Sequence, residues 1–176
     1  RNANANAERF AKTPKNKPAV YVDFSDGITK SCLANPNSKA IYEKFLKAVS
    51  TYTETEYFEL SNDSLIPYSN EDWYDYFVGK GHTTTDGKYK TGAPIDKAMS
   101  DIVERDNVSV LITDGELYSN QIQHIRKDPW ASKAFASWFS RGNELFIVYT
   151  DFDDTTNKMG KSCRKHMYIM FFVPKG

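Results

Sequence analysis

Apolar positions along the chain follow two different periods, and the two alternate. Ala19 to Asp23 (AVYVD), Val108 to Thr113 (VSVLIT), Glu144 to Thr150 (ELFIVYT) and His166 to Val173 (HMYIMFFV) are short, nearly unbroken apolar runs. Strands buried on both faces have this pattern. Tyr57 to Leu60 and Leu65 to Tyr68 read as two further strands, the second at an edge because Pro67 cannot donate to a ladder. Between them the period changes. Ile41, Phe45, Ala48, Val49 and Tyr52 predict an amphipathic helix over 38–52 with Ser38 as its N-cap. Residues 71–78 (EDWYDYFV) predict a short helix burying Trp73, Tyr76 and Phe77. Pro94 suits the first turn of a third helix, with Ile95, Ala98, Met99, Ile102 and Val103 on its inner face. A fourth starts at Asp128-Pro129, buries Ala131, Ala134, Phe135, Trp138 and Phe139, and ends at Gly142.

Alternating strands and helices predict an α/β fold, a three-layer α/β/α sandwich around a mostly parallel sheet. Residues 151–165 (DFDDTTNKMGKSCRK) show no helical period, so the last strand can return antiparallel without a crossover. Residues 1–17 are rich in Asn, Ala and Lys and read as an N-terminal arm or linker, leaving 18–176 as one domain. At 176 residues the chain suits a single core.

Charge narrows the function classes. Lys+Arg and Asp+Glu both number 23, so there is no basic excess of the kind nucleic-acid binders show. No apolar run is long enough to span a membrane. The two cysteines, Cys32 and Cys163, form no CxxC pair. A bridge between them would indicate an oxidising compartment, a cell surface or periplasm. Two free thiols is the simpler expectation.

Open α/β sheets place ligands at the carboxyl ends of their strands, so the residues after each strand matter most. They are acidic: Asp23-Phe24-Ser25-Asp26-Gly27, Asp114-Gly115-Glu116 and Asp151-Phe152-Asp153-Asp154, with no Lys or Arg inside these three stretches. Such a rim concentrates negative potential and suits a hard divalent cation such as Mg²⁺.

Asp23-Phe24-Ser25 after an apolar strand, the Thr91-Gly92-Ala93-Pro94-Ile95 segment, and Leu111-Ile112-Thr113-Asp114-Gly115-Glu116 resemble von Willebrand factor A domains over about residues 18 to 150. The resemblance implies a Rossmann-type sandwich with a metal-ion-dependent adhesion site. Its ligands would be Asp23, Ser25 and Asp114, with further metal or ligand contacts from Asp26, Thr91, Glu116, Asp151 and Asp153. It implies a non-enzymatic adhesion module, extracellular, that recognises a protein or other acidic ligand through the cation. The pattern departs at Gly27 and Ala93, which stand where that family has a hydroxyl residue.

Two alternatives accompany this expectation. Asp23 to Thr29, Thr113 and Asp153-Asp154 superficially resemble haloacid-dehalogenase-like phosphatases, although Ser25 replaces the general acid. The same fold can also serve as a metal-free assembly scaffold. No serine-hydrolase elbow is present, and His82, His124 and His166 have no ligand or triad spacing. Tyr74 and Tyr89 are the aromatic residues expected to be exposed for contact.

Overall fold

The computed structural model describes residues 17–52, 54–79, 92–116, 130–154 and 162–176, with the backbone alone at Trp130. The expected arm, Thr91, Tyr89, His82, His124 and the Asp128 cap lie outside them. Six strands form one sheet: β1 (Ala19–Asp23), β2 (Glu56–Ser61), β3 (Ser64–Tyr68), β4 (Ser109–Thr113), β5 (Glu144–Asp154) and β6 (Cys163–Val173). Their order is β3-β2-β1-β4-β6-β5. The expected parallel arrangement holds at the centre, where β1 pairs with β2 and with β4. At both flanks it gives way to antiparallel pairs, β2 with β3, β4 with β6, and β5 with β6.

Among the described residues four α-helices cover the sheet: α1 (Pro36–Val49), α2 (Trp73–Val78), α3 (Ile95–Arg105) and α4 (Trp130–Ser140). The strands alternate their side chains between two cores. Val20, Val22, Val110, Ile112 and Ile169 face α1 and α2 and meet Tyr42, Leu46 and Phe77. Tyr21, Leu60, Leu111 and Phe172 face α3 and α4 and meet Ala98, Met99, Ile102 and Trp138. The fold is thus a three-layer α/β sandwich.

Two local features depart from the expectation. Helix α1 starts three residues early. Asn35 caps it, accepting from the Asn37 and Ser38 N–H groups at 3.1 Å each, and Pro36 follows at the first position. The Ser38 hydroxyl is buried and donates to the Asp151 carbonyl at 3.2 Å. The inner stripe is consequently Ser38, Tyr42 and Leu46, while Ile41 and Tyr52 are exposed. The second feature is a π-helical turn over Gly27–Cys32 just beyond β1. It buries Ile28, Ser31 and Cys32 and carries the chain down from the rim. Tyr74, expected at the surface, packs in part against the α2 side of the core.

Both cysteines are free, Cys32 buried and Cys163 exposed. Burial pushes the Cys32 thiol up to about 12, which keeps it protonated. Among the described residues no helix is long and apolar enough to cross a membrane.

The shifted stripe is testable. Leu46→Ala is expected to cost about 2–5 kcal/mol in chemical denaturation. Ile41→Ala, one of the residues expected to be inside, is expected to cost less than about 1 kcal/mol.

Candidate functional site: a carboxylate rim around Lys165

Parallel pairing of β1 with β4 puts Asp23 and Asp114 at neighbouring strand ends. Asp23 is fully buried. Its Oδ1 accepts from the Ser25 N–H at 2.7 Å, and its Oδ2 accepts from the Thr113 hydroxyl at 2.7 Å. Asp114 Oδ1 accepts from the Glu116 N–H at 3.0 Å. The three residues expected to act together, Asp23, Ser25 and Asp114, therefore do meet at one place.

The charge balance there differs from the expectation. Strand β6 runs antiparallel to β4, so it begins at this same rim, and Lys165 near its start reaches in. The Lys165 ammonium is 2.8 Å from Glu116 Oε2 and 3.9 Å from Asp114 Oδ2, and it pairs closely with Asp154. Asp154 is buried and also accepts from the Ser31 hydroxyl at 3.0 Å. Three carboxyl groups, those of Asp114, Glu116 and Asp154, surround one ammonium, and Asp23 sits at the neighbouring strand end.

The ionisation of each group follows from this crowding. Burial raises Asp23, offset in part by its bonds from Ser25 and Thr113. Burial and the Asp23 charge push Asp114 up to about 7, against the Glu116 N–H and Lys165. Burial opposes the charge on Lys165, but its bonds to Asp154 and Glu116 outweigh burial and raise its pKa.

The donor set does not fit the divalent cation expected at Asp23, Ser25 and Asp114. Both Asp23 oxygens are committed to protein donors, and a fixed positive charge already lies against Asp114. Among the described residues no group of three or more His, Cys, Asp and Glu side chains is arranged to hold a metal ion. Gly27 leaves little room for the missing hydroxyl. A Cβ there would lie 2.6 Å from Asp114 Oδ2 and 3.9 Å from Lys165 Nζ.

Of the further contacts expected, only Glu116 among the described residues joins the cluster, through Lys165. Asp26 pairs with Lys30 at 3.2 Å, one turn on. Asp151 and Asp153 point outward from β5 and pair with Arg164 at 3.2 and 3.4 Å. Asp151 also contacts His166 at 2.5 Å. Strand alternation separates them from Asp154, which faces inward. Sequence reasoning placed Asp154 among the rim acids but missed Lys165 and Ser31 as site residues. The available signal was the antiparallel last strand, whose first residues must start at the carboxyl-end rim.

A cavity of about 470 Å³ opens near the opposite end of the sheet, lined by residues that include Tyr52, Glu56, Tyr68 and Trp73. None of the expected site residues lines it.

The sequence matches no protein family and no curated protein. Among solved structures it is similar to a precorrin-6y C5,15-methyltransferase from Geobacter metallireducens, at 11% identity over 98% of this chain and 87% of that one, with a TM-score of 0.32. The von Willebrand factor A assignment is corrected: no family model matches the chain. The adhesion function, the adhesion-type metal site and the exclusion of enzymatic activity are withdrawn with it. So distant a likeness carries no argument for methyl transfer in this chain. The phosphatase alternative fails on geometry, because Asp23 is sealed and both its oxygens are occupied, which leaves no open nucleophile.

Two measurements check this site. A folded-state pKa above the unfolded value means that Asp114 binds its proton more tightly when folded. Its stabilising contribution is then complete below about pH 4 and is lost as pH rises through about 7. The stability difference between wild type and Asp114→Asn is expected to swing against wild type by about 1–4 kcal/mol over that window, measured by urea unfolding. Gly27→Ser, the residue of the adhesion pattern, is expected to destabilise by about 1–3 kcal/mol, because the Asp114 carboxyl must be displaced.

Proposed function

We propose that the rim is the acid–base site of an α/β enzyme. In this reading Asp114 exchanges a proton with a hydroxyl or amine group of a small polar substrate at the carboxyl ends of β1 and β4. Lys165 is the fixed counter-charge that holds the carboxylates together. The supporting observation is the meeting of two buried carboxyl groups, Asp23 and Asp114, at adjacent strand ends, with the Lys165 ammonium on the Asp114 side. Like charges in one buried place cannot all ionise together, so one carboxyl retains a proton near neutral pH. A group balanced in that way can both donate and accept. Asp23 positions rather than reacts: it orders the Ser25 backbone and the Thr113 hydroxyl beside Asp114.

A panel of generic ester, amide, glycoside and phosphate substrates across pH 5 to 9 tests the proposal. Turnover of at least one class is expected, governed by one ionisation near that of Asp114 and lost in Asp114→Asn while the fold is retained. In Lys165→Met the inflection is expected at higher pH, because a neighbouring positive charge is gone. Failure of every class with wild type, or turnover that Asp114→Asn leaves intact, overturns the reading. Divalent ions bear on the same charge balance. Millimolar Mg²⁺, Mn²⁺ or Ca²⁺ is expected to leave the wild-type melting temperature unchanged and to raise that of Lys165→Met, where the ammonium no longer competes.

A further inference from the structure

Strand β5 closes one side of the sheet. It pairs with β6 along eleven positions, and no strand covers its other edge among the described residues. Edge strands usually carry a proline, a lysine or a bulge that prevents further pairing. Over 144–150 β5 carries none of these, and its sequence is Glu-Leu-Phe-Ile-Val-Tyr-Thr. Four consecutive large side chains are exposed: Phe146 at 55%, Ile147 at 50%, Val148 at 50% and Tyr149 at 62%. Phe146 and Val148 continue the face of Phe171 and Ile169, and Ile147 and Tyr149 the face of Met170 and Tyr168. Both faces of the strand are thus apolar where its backbone edge has no paired strand among the described residues.

We propose that this edge binds a second copy of the chain, β5 against β5 antiparallel, to give one twelve-stranded sheet across a two-fold dimer. The residue pattern selects the occupant and the register. A two-fold axis perpendicular to the sheet keeps each face on its own side, so facing residues must share parity. Centring the axis on Ile147 sets Ile147 against Ile147, Phe146 against Val148 and Leu145 against Tyr149. Glu144 then faces Thr150, and Asp151 falls opposite Asn143, just before the strand. No two like charges oppose each other, and every exposed apolar residue meets an apolar one. Moving the axis to Val148 sets Glu144 against Phe152 and Asp151 against Leu145, charge against hydrocarbon, so the pattern favours the first register. The seven-residue ladder spans about 20 Å. That is a small interface, so the dimer forms by mass action, with a dissociation constant on the order of 10–100 µM.

Sedimentation equilibrium of the full chain from about 1 to about 200 µM tests this. Wild type is expected to pass from monomer to dimer and to stop there. Ile147→Lys places two ammonium groups face to face on the axis and is expected to stay monomeric throughout. Its side chain is half exposed, so the melting temperature should hold. A Cys163→Ser background supplies a register-specific readout. Oxidation is expected to link Ile147→Cys chains into covalent dimers and to leave Tyr149→Cys chains unlinked, since Tyr149 faces Leu145. A monomer mass over the whole range overturns the proposal. So does a dimer that Ile147→Lys leaves intact, or a mass that keeps rising without saturating, which would mark the edge as an aggregation surface only.

Discussion

The ammonium of Lys165 holds the carboxyl end of this sheet together. Asp114, Asp154 and Glu116 converge there, with Asp23 beside Asp114, and all but Glu116 are largely out of water. At an effective dielectric constant near 20, two like charges 4 Å apart repel by about 4 kcal/mol. Burying them together is tolerable only with a positive charge in reach or a proton retained. The rim uses both, with Lys165 against Asp154 and Glu116 and a proton shared into Asp114. Removing one partner from such a group costs more than the group itself contributes, because the remaining charges are left buried and unbalanced. Lysine suits this place better than arginine, since a compact ammonium can approach three carboxylates from one point.

Most of this fold is legible in the sequence because it rests on local patterns. Apolar runs locate the six strands, and Asp23 and Asp114 sit at strand ends that parallel pairing brings together. What the pattern does not carry is long-range. Lys165 lies 142 residues from Asp23 in the chain, and it reaches the rim only because β6 runs backwards beside β4. A reading confined to the residues after each strand sees acids alone and infers a metal. The error about α1 is smaller in scale. Tyr42 and Leu46 define its inner stripe, and only Asn35, reaching two backbone N–H groups, settles where the helix turns.

The long β5–β6 hairpin shows how strand period sorts function from surface. Phe152 and Asp154 turn inward, while Asp151 and Asp153 turn outward to Arg164 and His166. The four residues are consecutive, and their acidic character alone cannot divide them. Extending β5 past Thr150 does so, because strand alternation continues to Asp154. Four residues of extra strand therefore add one carboxylate to the buried site and leave two on the surface.

The order of the strands has a consequence for how the molecule assembles. Strand β6 comes last along the chain yet lies inside the sheet, between β4 and β5. Until residues 163–173 are in place, β4 presents an open edge and β5 has no neighbour to pair with. During synthesis, the strands up to β4 can associate early, but β5 must wait as an apolar segment for the strand that follows it. The non-local pairing of β4 with β6 then closes the sheet in a late, slow step. A nascent chain from which β5 has emerged and β6 has not leaves both edges of β5 unpaired. Such a chain is a natural client for a chaperone.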